Sequence, residues 1–198
     1  SAWGTMQWIA AAERAGGPRV ATMQNEYSLL CRLYDTDMAE LAHHEDITLL
    51  AFSPLAAGFL TGKYQNGAVP AGSRMSINDT MGGRRSERVF EATQAYLDIA
   101  ARHDLDPVHL ALAWCVQRPF PTIPIFGATT QAQLDRILSG LDVVLSDKVL
   151  AEVSKAHRAH PMRGFPWRCS GETGSSARRL RPGCVSSSRS KRQRSSGI

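Results

Sequence analysis

The sequence predicts an α/β fold with parallel strands, and three observations predict it. Short apolar runs alternate with stretches of helical period, an order that implies parallel strands joined by right-handed crossovers. One run, Thr48-Leu49-Leu50-Ala51-Phe52, is uniformly apolar, as strands buried on both faces tend to be. The composition, 43% hydrophobic and 21% charged, is that of a globular chain, and no apolar run approaches the ~18 residues of a membrane span.

Taken in order, Trp3, Met6 and Ile9–Ala10 recur at helical spacing, and Gly16-Gly17-Pro18 ends that helix. Val20-Ala21-Thr22-Met23-Gln24 reads as a short buried strand. Asp35 to Glu45 reads as a helix with Met38, Leu41 and Ala42 inward, and Thr48–Phe52 is the second strand. The stretch from Ser53 to Arg85 exceeds the usual length of a structureless connection, which points to function. Ser86–His103 is a helix with Val89, Phe90, Thr93, Leu97 and Ala100 on one face. The next helix opens with Asp106 as N-cap and Pro107 at its first position. Thr122–Phe126 is a third strand, weakened by Pro124. After Gly127–Thr130 comes a helix with Leu134, Ile137 and Leu138 inward. A last helix starts at Ser146, with Leu145 and Leu150 placed as a hydrophobic staple.

Three parallel strands leave unpaired edges and a half-covered core. The expectation is therefore the C-terminal part of a (β/α)8 barrel, about three strands plus helices, whose beginning precedes Ser1. A small open three-layer sheet is the structural alternative.

The formal charge of +5 suggests an acidic partner until its distribution is read. Residues 163–198 hold nine Lys and Arg against one acid, Glu172, whereas residues 1–162 are mildly acidic. The tail is rich in Ser, Arg and Gly, has almost no aliphatic residues, and is expected to be disordered. It reads either as an Arg/Ser nucleic-acid arm or as a non-native extension such as a shifted reading frame. The absence of interleaved aromatics in its basic cluster, Ser188–Arg194, and of an Arg-Ser array favours the second, and so argues against a nucleic-acid partner. Cys31, Cys115, Cys169 and Cys184 form no Cys-x-x-Cys pair, which argues against zinc and disulfides and fits a cytoplasmic protein; no secretory signal is visible. The six histidines lie on or beside helices without metal-ligand spacing, and His43–His44 suits a helix C-terminus.

The chemistry concentrates at strand C-terminal ends, where barrel enzymes keep their sites. Gln24, in Gln24-Asn25-Glu26-Tyr27, offers a carboxamide that can donate and accept at once, or a loop cap. Phe52 offers a stacking face, or a core aromatic. The small residues after it, with Thr61 and Lys63, offer an anion cradle of N–H groups, hydroxyl and ammonium.

The string Ser53-Pro54-Leu55-Ala56-Ala57-Gly58-Phe59-Leu60-Thr61-Gly62-Lys63-Tyr64 resembles the segment after the seventh strand of aldo-keto reductases, in the branch of Tas-like reductases and potassium-channel β subunits. Met23–Leu30 before it, and Leu110–Cys115 and Ile125–Leu134 after it, match in the same order. The resemblance covers residues 1 to about 160.

It implies an aldo-keto reductase barrel, here represented by its C-terminal, NADP-binding part, residues 1–162. The intact protein would reduce small aldehydes or ketones by hydride transfer from NADPH. It assigns Gln24 to the nicotinamide carboxamide and Phe52 to the nicotinamide ring. Ser53, Pro54, Leu55, Ala56 and Ala57 would line the pyrophosphate. Lys63 and Arg74 would approach the phosphates from a loop that folds over the cofactor as a belt. Gly127, Thr129 and Gln133 would serve the adenosine end. Arg136 and Ile137 stand where the branch usually has Glu-Asn, so Arg136 would stack on adenine, pair with the 2′-phosphate, or be a solvated helix residue. The family's Asp, Tyr, Lys and His come from earlier strands and are expected upstream of Ser1. Tyr27, Tyr34, Tyr64 and Tyr96 do not occupy that motif, so this chain alone is expected to be inactive. A cofactor-binding, redox-sensing subunit is the alternative.

Overall fold

The computed structural model describes residues 1–161. The expected disordered tail, 163–198, lies outside the described residues. Three strands, β1 (Thr22–Glu26), β2 (Thr48–Phe52) and β3 (Thr122–Ile125), form one parallel sheet in that spatial order. Seven α-helices accompany them: α1 (Ala2–Ala15), α2 (Met38–Glu45), α3 (Arg74–Ile77), α4 (Glu87–Arg102), α5 (Pro107–Val116), α6 (Gln131–Leu138) and α7 (Asp147–Ala159).

Side-chain caps set most of the helix starts, each accepting an N–H that the first turn would otherwise leave unpaired. Ser86 accepts from Val89, Asp106 from Val108, Thr130 from Gln133 and Ser146 from Val149. Gly16 ends α1 in the left-handed conformation, φ 63°, that glycine adopts without cost. Leu145 and Leu150 both join the core around the start of α7, as the staple requires.

The strands differ from the sequence expectation in which faces they bury. In β2, Leu49 and Ala51 are buried while Thr48, Leu50 and Phe52 are only half-buried. An all-apolar run carries no alternation, so it could not show that one face lies open. β1 begins two residues later than expected and is exposed to half-buried rather than buried. Ladder register puts Gln24, Leu50 and Ile123 in one row and Glu26, Phe52 and Ile125 in the next, all on the open face. The helices cover the opposite face. There α5 is buried from Val108 through Cys115, except His109, and contacts β3, α4 and α6.

Three helices also depart from their predicted faces. Trp3 and Met6 of α1 are exposed, and among the apolar residues expected inward there only Ile9 is fully buried. In α4 the buried set is Val89, Ala92, Thr93, Tyr96, Ile99 and Ala100, with Phe90 and Leu97 half-buried at its margin. Leu138 of α6 is exposed, leaving Ile137 as that helix's buried anchor. The residue pair His43–His44 does fall in the last turn of α2, with His43 Nδ1 3.1 Å from the Pro119 carbonyl.

A polar network closes the helix-covered core. Tyr27 donates to Asp35 at 2.6 Å, and Arg32 donates to the other Asp35 oxygen at 2.8 Å. The guanidinium groups of Arg32 and Arg118 lie over the Trp114 ring, 4.9 and 4.8 Å from its centroid, and Trp114 stacks on Tyr27 at 5.1 Å.

Candidate functional site

The site is built from the C-terminal ends of the three strands. Gln24 stands exposed on the open face, and its side chain makes no hydrogen bond among the described residues. Phe52 ends β2 one row further, flanked by Glu26 and Ile125. A free carboxamide and a half-buried aromatic face therefore share one side of the sheet. That is the arrangement needed to hold a flat, amide-bearing ring.

Beyond Phe52 the backbone is strained. Ser53, Ala56 and Ala57 take left-handed conformations, φ 54°, 49° and 57°, and Gly58 follows at 96°. Non-glycine residues cost about 1–2 kcal/mol each in that region, so the rest of the fold must hold this turn in place. Buried Phe59, Leu60 and Tyr64 anchor it from behind. The turn brings Lys63 back onto itself: a Cβ at Gly58 would stand 3.0 Å from Lys63 Cε and 3.2 Å from Nζ. Glycine suits the position because of its φ of 96°, and the ammonium lies 5.1 Å from the centre of the Tyr64 ring with no carboxylate partner among the described residues. The Thr61 hydroxyl is already committed, donating to the Gly58 carbonyl at 2.8 Å.

The third segment meets the second through a small apolar cluster. Val108, Leu112 and Ile137 are buried together, and both Leu55 and Phe126 pack against them. The turn after β2 and the turn after β3 thus share one support. Within the latter, Gln133 accepts from the Thr129 N–H at 3.0 Å and from its hydroxyl at 3.2 Å, while Gly127 faces open space. Arg136 donates to both oxygens of Asp106, at 2.7 and 3.1 Å, tying α6 to the cap of α5. Burial raises the Asp106 carboxyl, but the hydrogen bonds from Arg136 and the Val108 N–H outweigh it and hold the group below the usual carboxylate range. Arg74 stands apart from these residues, exposed on α3 and without an acid partner among the described residues.

Residues 1–158 match the Aldo/keto reductase family. The chain belongs to the aldo/keto reductase family. It is 41% identical over 160 residues to Protein tas of Escherichia coli (strain K12), an alignment covering 81% of this chain and 46% of that protein. It is 32% identical over 182 residues to a probable voltage-gated potassium channel subunit beta of Arabidopsis thaliana, covering 84% and 55%. An aldo-keto reductase of Babesia bovis is 31% identical over 163 residues, covering 78% and 57%. The chain spans about half the length of these curated relatives.

Two residues at these strand ends escaped the sequence reading. Glu26 shares the open face with Gln24, a neighbour visible from the period of two along a strand. Its partner Arg84 donates to both carboxylate oxygens, at 2.9 and 2.8 Å, from 58 residues downstream. No local pattern reveals that pair. Tyr27, Tyr34, Tyr64 and Tyr96 are all buried in the core. Burial and the Asp35 hydrogen bond push the Tyr27 hydroxyl far up, and burial pushes Tyr96 up to about 12. Neither is a proton donor for chemistry on the open face.

Proposed function

We propose that residues 1–162 form the cofactor-binding part of an NADP-dependent carbonyl reductase, a (β/α)8 barrel in its intact form. The observation that carries the reading is the open face that presents Gln24 and, one row further, Phe52, and runs directly into the strained Ser53–Gly58 turn with Lys63 folded beside it. When bound, NADPH supplies the hydride; the protein supplies orientation. Gln24 pairs with the nicotinamide carboxamide and Phe52 fixes which ring face points away from the sheet. Ser53, Pro54, Leu55, Ala56 and Ala57 present backbone to the pyrophosphate, and Lys63 neutralises its charge. Gly127, Thr129 and Gln133 hold the adenosine end; Arg74, and Arg136 if it exchanges Asp106 for phosphate, favour the 2′-phosphate of NADP over NAD.

On this reading the chain binds the cofactor without turning over a carbonyl. The Asp, Tyr, Lys and His of the intact protein are assigned to strands outside this sequence, the substrate is a small aldehyde or ketone, and the setting is cytoplasmic. No described helix is long and apolar enough to cross a membrane.

Titration of NADPH fluorescence with the 198-residue chain tests the reading. Saturable binding, tighter than for NADH and weakened up to about tenfold in Phe52→Ala by loss of ring stacking, is expected. Absence of binding, or carbonyl turnover by this chain at the rate of an intact relative, overturns it. The likeness to a protein named as a potassium channel subunit supports a second reading, in which cofactor occupancy is a regulatory signal. Full-length protein that binds NADPH but fails to oxidise it with any small carbonyl would favour that one.

A further inference from the structure

The turn that enters α6 is closed by a reciprocal cap. Thr130 accepts the Gln133 N–H at 3.2 Å. The Gln133 side chain reaches back over the turn, and its Oε1 accepts from the Thr129 N–H at 3.0 Å and from the Thr129 hydroxyl at 3.2 Å. A backbone N–H can only donate, so the atom that faces it is the amide oxygen, and the carboxamide cannot be turned over. An amide oxygen has two lone pairs, and here both are taken. What Gln133 has left is Nε2, whose N–H groups meet no acceptor among the described residues. The cap makes this glutamine a donor only.

Its neighbours on the helix add no acceptor. Arg136, three residues on and so on the same face, carries donors alone, and Asp106 holds it with two hydrogen bonds at 2.7 and 3.1 Å. Ile137, four residues on, is 4% exposed and packs with Val108 and Leu112. Asp135 is the one carboxylate of α6. It lies two residues from Gln133, off that face, and accepts from Gln131 Nε2 at 2.7 Å.

A glutamine reads adenine with both ends of its amide, accepting from N6 and donating to N7. With Oε1 filled by Thr129, that pairing is closed to Gln133. A group that only donates is matched by O6 and N7 of a 6-oxopurine, two acceptors on one edge, which is how arginine and lysine read guanine. We propose that the base end of the cofactor site does not read the adenine amino group and takes a 6-oxopurine base, hypoxanthine being the simplest, in preference to adenine. The proposal rests on the cofactor reading above, which puts Gln133 at the adenosine end.

The test titrates the 198-residue chain with NADPH and with its hypoxanthine analogue, reduced nicotinamide hypoxanthine dinucleotide phosphate, following nicotinamide fluorescence. The same pair of titrations is run on Gln133→Glu. Glutamate keeps an oxygen for Thr129 and puts a second oxygen in place of Nε2, turning the donor into an acceptor with little change of shape. The quantity read is the ratio of the two Kd values, in which any effect of the added charge on the shared phosphates cancels. In the unaltered chain the analogue should bind about threefold to tenfold more tightly than NADPH, the worth of one net hydrogen bond. Gln133→Glu should reverse that order. NADPH binding as tightly as the analogue, or more tightly, in the unaltered chain overturns the proposal and leaves the cofactor reading standing; that comparison needs no variant. A ratio that Gln133→Glu leaves unchanged also overturns it. Binding of neither dinucleotide overturns the cofactor reading, and the proposal with it.

Discussion

At the scale of single residues, the tightest constraint lies behind the site. Gly140 follows α6, and a Cβ there would fall 2.2 Å from His109 Cδ2 and 2.3 Å from Cγ. The imidazole is fixed in place by its Nε2 contact with the Arg136 carbonyl at 2.5 Å. Gly140→Ala should therefore destabilise the fold by about 1–3 kcal/mol, the usual range for overpacking. His109→Ala should relieve most of that cost in the double variant, a coupling that urea denaturation of the four proteins measures. Additive effects would show that the ring can swing away. A close approach of this kind is invisible in sequence, because Gly140 and His109 lie on different elements and nothing local marks their meeting. Gly58 is similar: its neighbour Lys63 is five residues on, yet only the left-handed turn brings them together.

Among the elements, capping chemistry gave the clearest forecast and strand faces the poorest. Asp106 and Ser146 were legible because an N-cap is decided by residues within one turn. The open face of β2 was not, since Thr48–Phe52 is apolar throughout and its exposure depends on what the rest of the chain covers. Trp3 and Met6 misled for the same reason: helical spacing gives a face but not its partner. Of the proposed site, Gln24, Phe52 and the Ser53–Lys63 string could be read as residue types in order, whereas the Glu26–Arg84 tie and the Arg136–Asp106 pair are long-range. Asp106 caps α5 and also receives Arg136, so Asp106→Ala should cost about 1–2 kcal/mol in chemical denaturation. The pH dependence follows from the direction of the shift. Because the folded carboxyl titrates lower than in the unfolded chain, its contribution is full above pH ~4 and fades as pH falls below that. The acid limb of the stability curve should be shallower in Asp106→Ala than in the unaltered protein between pH ~4 and ~2; identical limbs would assign the acid sensitivity elsewhere.

For the molecule as a whole, the net charge of +5 misdescribes the part that carries the site, since the excess of cations belongs to residues 163–198. The family match ends at residue 158, close to where that change of composition begins. The sheet has a further consequence, seen in amide hydrogen exchange. β2 is bonded on both sides, whereas β1 and β3 each have one bonded neighbour among the described residues. Protection should therefore be highest at Leu49–Phe52 and lower at Thr22–Glu26 and Thr122–Ile125, a ranking that exchange mass spectrometry resolves. Equal protection across the three strands would mean that the outer edges are covered. In the ranked case Phe52 sits in the last unit to open and Gln24 in an early one. The two groups that would grip opposite parts of one ring then fluctuate independently, and a bound ring would be what couples them.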